Sequence, residues 1–280
     1  MPSSKIKTTI PYSVYEIILK DIEHFNTSKN YLCNSVFEYF RKSKYQYNEK
    51  EVETRHEKGQ VIQFNLIKDN FAVWESFAFT IQNESSYFRE ILSEYANRPQ
   101  HKREKILFKK NFDSIEKAIK EGKKIKIKFN NSIKTVEPYF ISPVKNETYN
   151  YLFTYYNDKN IYANFKMVNV EFVETEKENV VIRDEEYIEA IKNNFDPFLS
   201  QGKEVKVKLT ENGKKLLDKF IYNRPKLLRE EGDIFVFEAS EFRAQLYFRG
   251  FLSDVEFIEP VSLRDWILHE LESALKNYKK

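Results

Sequence analysis

The sequence predicts a multidomain α+β protein with a mostly helical N-terminal region, a small β-barrel in the middle and a C-terminal α/β module. Three observations lead there. Residues 5–43 and 61–99 superimpose at an offset of 56 without a gap, so the N-terminal region is a tandem repeat. Between residues 124 and 175 short apolar–polar alternations follow one another, separated by polar turns, which is the pattern of a small twisted barrel. After residue 203, strand and helix patterns mix. A chain of 280 residues, 41% hydrophobic and 16% aromatic, can bury several cores. The expected modules are 1–105, 106–190 and 200–280.

In the repeat, Ile6 falls on Ile62, Ile10 on Leu66, Ile18 on Trp74, Phe25 on Ile81, Leu32 on Phe88 and Val36 on Leu92. Each copy reads as a short alternating strand, a helix, a polar break and a second helix. The breaks, Asn26-Thr27-Ser28 and Asn83-Glu84-Ser85-Ser86, carry helix-start chemistry. A lone strand leaves its backbone groups open, whereas two strands pair antiparallel, so two copies in one chain build one complete module. With Ile6, Ile10, Ile62, Phe64 and Leu66 turned inward, alternation turns Lys5, Lys7, Thr9, Gln63 and Asn65 outward. Gln and Asn bond adenine, Lys bonds guanine or phosphate, and free N–H groups at the helix starts near Ser28 and Ser85 suit phosphates. The same residues equally suit the solvent side of a two-stranded sheet with self-capped helices.

These strand–helix–helix units of about forty residues resemble the ribbon-helix-helix DNA-binding fold, and Gln63-Phe64-Asn65-Leu66 is similar to its groove-reading strand. Between the copies, Ser43–Gln60 is a highly charged connector.

After Pro99, a helix is expected over Phe112–Glu121, stopped by Gly122. Strands are expected over Lys124–Phe129, Thr135–Ile141, Tyr149–Tyr156, Ile161–Lys166 and Asn169–Thr175. Lys124–Phe129, Val136-Glu137-Pro138-Tyr139, Asn150-Tyr151-Leu152 and Phe165-Lys166-Met167-Val168-Asn169-Val170 resemble the successive motifs of a WYL domain. That resemblance implies an Sm-like barrel that senses a ligand or nucleic acid in bacterial regulators and defence proteins. Asn150 stands where the naming tryptophan is expected, and Asn169 replaces an arginine that usually meets an anionic ligand. Lys124, Tyr139, Tyr151, Tyr155, Phe165, Lys166 and Asn169 are the candidate ligand- or strand-binding residues, offering stacking and charge. As ordinary barrel filling with an outward lysine they would look the same.

A helix and loop are expected over Tyr187–Gln201, and the last module has strands at Val205–Leu209, Ile234–Ala239 and Val255–Ile258. Its helices are expected at Gly213–Phe220, Arg243–Phe251 and Ser262–Tyr278. It resembles the C-terminal extension of WYL proteins, with Leu209-Thr210-Glu211-Asn212-Gly213, Tyr222-Asn223-Arg224-Pro225 and Phe257-Ile258-Glu259-Pro260 as signposts. The resemblance implies a role in dimerisation. Trp266, Ile267, Leu271 and Leu275 form a stripe on the final helix that suits either a dimer or the core.

The formal net charge of +3 hides a polar distribution. Residues 98–128 carry 12 bases and 4 acids, residues 171–189 carry 8 acids and 2 bases. One cysteine, Cys33, excludes an intramolecular disulfide, and His24, His56, His101 and His269 lack metal-ligand spacing. Neither a signal-peptide stretch nor a membrane-spanning run is present, so a cytoplasmic protein is expected. No nucleophile elbow, Walker loop, HExxH, CxxC or dinucleotide motif occurs, and no catalytic residue, metal or cofactor is expected. The sequence therefore predicts a non-enzymatic homodimeric nucleic-acid-binding regulator, a DNA-binding transcriptional regulator whose WYL domain senses an effector. The tandem organisation also resembles accessory proteins of type VI CRISPR systems, implied to bind single-stranded RNA and stimulate an RNA-guided RNase. Duplex DNA, single-stranded RNA, a small or nucleotide effector and a CRISPR effector are the expected partners.

Overall fold

The computed structural model describes residues 5–41, 59–144 and 149–279, and the connector expected over 43–60 lies almost wholly outside them. The described residues form an α+β protein with three antiparallel sheets. It divides into two compact units, 1–181 and 182–280. Among the described residues no helix is long and apolar enough to cross a membrane.

The first unit starts with β1 (Lys5–Ile10), α1 (Tyr12–His24) and α2 (Lys29–Phe40), and repeats the order as β2 (Gln60–Asn65), α3 (Lys68–Phe77) and α4 (Glu84–Ala96). Alternate residues of β1 are buried, and β1 pairs antiparallel with β2. Ile6, Ile10, Ile62 and Phe64 lie on the inner face over an aromatic core in which Phe64 meets Phe88 edge-on at 5.6 Å and Phe37 lies 5.8 Å from Phe88. Burying side chains of this size contributes about 1.5–3 kcal/mol each, which is what holds a ribbon that has only two strands.

Two helices follow, α5 (Gln100–Leu107) and α6 (Lys109–Glu121). The sequence signalled only the second. The segment Gln100–Leu107 lacks a clear apolar stripe, and its buried face includes the carboxylate Glu104. Gly122 ends α6 at φ +62, a left-handed turn that glycine adopts without strain.

Then come β3 (Lys123–Phe129), β4 (Ser132–Pro143), β5 (Asn150–Tyr156), β6 (Ile161–Lys166) and β7 (Val170–Asn179), one sheet in the order β6-β5-β4-β3-β7. Phe112, Ile115 and Ala118 of α6 cover one face, against Ile125, Ile127, Val136, Leu152 and Phe165. The neighbours β3 and β7 bring the basic and acidic stretches together. Lys124 meets Glu178 at 2.8 Å, Lys126 meets Glu176 at 2.6 Å and Lys128 meets Glu171 at 2.6 Å. Three bases and three acids of the two stretches thus form a cross-strand ladder.

The second unit has α7 (Glu185–Asn193), β8 (Glu204–Leu209), α8 (Glu211–Lys219), β9 (Lys226–Glu231), β10 (Ile234–Glu238), α9 (Glu241–Phe248), β11 (Val255–Glu259) and α10 (Val261–Tyr278). Its sheet runs β11-β8-β10-β9. The edge strand β9 was not anticipated, because all six of its residues are exposed and it shows no alternation. Thr210 caps α8 by accepting from the Gly213 N–H at 3.1 Å, and a Cβ on Gly213 would sit 2.4 Å from the Asp254 carbonyl, so only glycine fits. The stripe expected on α10 splits. Trp266 and Ile267 pack on the core, while Leu271 and Leu275 are exposed together with Leu268 and Tyr278.

Candidate nucleic-acid interface

The β1–β2 register places Lys5 opposite Asn65, Lys7 opposite Gln63 and Thr9 opposite Val61. Paired residues share a face, and all six are exposed. The five sequence candidates therefore lie together on one side of the ribbon, and Val61, the repeat partner of Lys5, completes it. At an offset of 56, Lys7 faces its own repeat counterpart, so a pseudo-twofold axis passes between Lys7 and Gln63. Among the described residues, the side chains of Lys5, Lys7 and Gln63 make no hydrogen bond or ion pair, and their polar groups face solvent.

What holds this face still is a set of asparagines that alternation cannot reveal. The buried Asn34 donates to the carbonyls of Asn30 (2.8 Å) and Asn65 (2.9 Å), and its oxygen accepts from Ile67 N–H and Asn70 Nδ2. Asn30 Oδ1 accepts from the Asn65 N–H at 2.8 Å, and Arg41 donates to Asn70 Oδ1 at 2.9 Å. The end of β2 is thereby pinned to α2. On the other strand, Arg89 Nε donates to the Thr9 carbonyl at 2.7 Å.

The two serines differ. Ser28 caps α2 by accepting from Tyr31 N–H at 3.1 Å. In α4 the cap is Asn83, which accepts from Ser86 N–H at 3.0 Å. Ser85 instead donates to Thr8 Oγ1 at 3.0 Å, and Thr8 donates to the Ser85 carbonyl at 2.6 Å, which ties the helix start to the ribbon.

The residues expected to bind through the five-stranded sheet separate into groups. Register puts Tyr155 beside Glu137 and Tyr162, and Tyr151 beside Lys166, on the face away from α6. Tyr139 joins that face through ring contacts to Phe153 (5.8 Å) and Tyr162 (6.2 Å), and Lys124 joins it through Glu137, 3.6 Å away. Lys124 is held by Glu137 and Glu178, so its charge is compensated. Phe165 points the other way, into the α6 core, 5.0 Å from Phe129. Asn169 is exposed in the short turn after β6.

Asn150, in the place of the expected tryptophan, has a defined job. Its N–H and its Nδ2 both donate to Glu104 Oε2 at 2.6 Å, and Nδ2 also reaches the His101 carbonyl at 2.8 Å. Glu104 is fully buried, and burial pushes its carboxyl up to about 7, while among the described residues Oε1 has no hydrogen-bond partner within bonding geometry. Asp21, also fully buried, accepts from Tyr95 Oη (2.7 Å) and from Arg103 (2.5 and 2.9 Å), joining α1, α4 and α5. Burial pushes the Cys33 thiol up to about 12, so it stays protonated. Among the described residues no cluster of three His, Cys, Asp or Glu side chains is placed to hold a metal.

The fold and this face define an α+β protein with a duplicated strand–helix–helix unit and an exposed antiparallel ribbon. No protein-family model matches the chain, and no curated protein matches it. Among solved structures, the crystal structure of a CRISPR Cas-related protein is similar with a TM-score of 0.63 over 100% of this chain and 95% of that one, at 16% identity. The architecture is therefore shared along the whole length. Proteasome accessory factor B/C (PafBC) of Arthrobacter aurescens matches at a TM-score of 0.31 and 18% identity, over 80% of this chain and 40% of that one, a likeness too low to bear on the fold.

Proposed function

We propose that this protein is a non-enzymatic, homodimeric nucleic-acid-binding regulator that docks through the β1–β2 ribbon. One observation carries the reading: Lys5, Lys7, Thr9, Gln63 and Asn65 share the exposed face of a ribbon that the chain completes by itself. Such a ribbon enters a major groove, where Gln and Asn bond adenine and Lys bonds guanine or phosphate. The five-stranded sheet then serves as a WYL-type Sm-like sensing module, and the exposed leucines of α10 support pairing of two copies. A sensed ligand acts only by preferring the binding-competent arrangement.

Fluorescence anisotropy with duplex DNA pools, single-stranded DNA and single-stranded RNA at several salt concentrations tests this. Selective duplex binding that Gln63→Ala with Asn65→Ala relaxes is the expected result. Duplex binding unchanged in that variant overturns the ribbon assignment.

A second reading is an accessory protein that binds single-stranded RNA and stimulates a type VI CRISPR RNA-guided RNase. The observation favouring it is the likeness in fold, along the whole chain, to a CRISPR Cas-related protein. It predicts preference for single-stranded RNA and indifference to Gln63 and Asn65.

A further inference from the structure

A cleft of about 840 Å³ lies inside the first unit, between α2, the start of α6 and the turn after β6. That volume is in the range of small-molecule sites. Its lining has two chemically distinct parts. From α2 come Tyr31, Ser35, Glu38 and Tyr39, the i, i+4, i+7, i+8 positions of one helix face. From the α6 start and the end of β6 come Lys110, Lys166 and Asn169.

Lys166 is an unusual cation. It is half-buried, with its ammonium 4.4 Å from the Tyr149 ring centroid and 5.7 Å from that of Tyr151. Among the described residues neither Lys166 nor Lys110 has a carboxylate within ion-pair distance, in contrast to the lysines of β3. Glu38 is likewise half-buried and without an ion pair. Two turns before it on the same helix, and lining the same cleft, is the exposed ring of Tyr31, whose hydroxyl donates to the Leu107 carbonyl at 2.9 Å. The buried Glu104 acts on Lys166 through its charge without pairing with it, so the half-buried Lys166 and Glu38 keep ion-pairing positions that a ligand can fill.

We infer that this cleft binds a guanine nucleotide unit, its phosphate on Lys166 and Lys110, its base against Tyr31 with the N1–H and N2–H edge donating to Glu38. Guanine is the base whose Watson–Crick edge offers two adjacent donors to one carboxylate, and an aromatic ring is the general platform for a base. The regulatory meaning rests on the sensing role proposed above for this unit. One wall belongs to the ribbon-bearing helices and another to the five-stranded sheet, so an occupant touches both.

Isothermal titration of the full-length protein with GMP, AMP, CMP, UMP, guanosine and inorganic phosphate tests the inference. GMP is expected to bind best. Lys166→Gln is expected to weaken GMP about tenfold while leaving guanosine unchanged, the size of one charge-assisted hydrogen bond. Glu38→Gln is expected to weaken GMP more than AMP, and Lys110→Gln, at an exposed position, supplies the phosphate test should Lys166→Gln fail to fold. A five-nucleotide RNA with one guanine separates the two sources: a Lys166-dependent gain over GMP assigns the cleft to a strand, equal affinity assigns it to a free nucleotide. GMP no tighter than AMP and inorganic phosphate, or GMP affinity unchanged in the folded Lys166 and Glu38 variants, overturns the inference. Gln63→Ala with Asn65→Ala is expected to leave GMP binding intact, so loss of the ribbon reading and loss of this one are separate results.

Discussion

Two strands of the first unit carry lysine at alternate positions, and they use it in opposite ways. On β1, Lys5 and Lys7 face solvent across from Asn65 and Gln63. On β3, Lys124, Lys126 and Lys128 face glutamates of β7 at 2.6–2.8 Å. Period-two alternation gives the direction of a side chain and is silent about what stands opposite. The pairing strand decides whether a lysine is a structural cation or one left facing solvent.

Four experiments break or sharpen that contrast. The largest effect is expected from Gln63→Ala with Asn65→Ala, which should cost about 1–3 kcal/mol per lost base contact in duplex affinity and relax specificity, read by anisotropy. Thermal unfolding should be unchanged, because both side chains are exposed. Next comes Asn34→Ala, which strands the carbonyl of Asn65 and the N–H of Ile67. A loss of about 2–3 kcal/mol in urea unfolding is expected, with weaker nucleic-acid binding from a loosened β2.

The third concerns pH. Glu104 has a folded carboxyl pushed up to about 7 by burial, against an ordinary 4.5. In that window the unfolded chain has released the proton and the folded one retains it, so this group's contribution to stability falls as pH rises from about 4.5 to about 7 and is flat above. Relative to the wild type, Glu104→Gln should remove a decline of about 2–3 kcal/mol, seen by comparing urea unfolding of the two proteins at pH 5 and pH 8. Parallel curves would mean that the buried carboxyl does not titrate there. The smallest effect is expected for Lys126→Gln with Lys128→Gln on the exposed ladder, where neither duplex affinity nor melting temperature should move measurably. A marked drop in nucleic-acid affinity would transfer the binding role from the ribbon to the sheet.

The repeat, the ribbon and most strands were legible because their signal is local: Ile6, Ile10, Ile62 and Phe64 announce an inner face through spacing alone. The strand β9 was silent because nothing in it is buried, and α5 because its buried face includes a carboxylate. The stripe on α10 was read as one surface, yet Trp266 packs while Leu271 does not, since a helix longer than the sheet beneath it overhangs. Of the candidate site, the five ribbon residues were readable from alternation. Asn34 and Glu104 were not, because a buried polar residue is defined by partners 31 to 46 residues away.

The pseudo-twofold between Lys7 and Gln63 has one more consequence. A ribbon made by two identical chains must present the same residues on both strands, and its target must then read alike in both directions. Fusion of the copies has released that constraint: lysine stands on one side of the axis and glutamine on the other, Lys5 on one side and Val61 on the other. A grip of this kind has a head and a tail. If the ribbon binds nucleic acid as proposed, it can tell which way along the strand it points, something a symmetric pair of ribbons is unable to do.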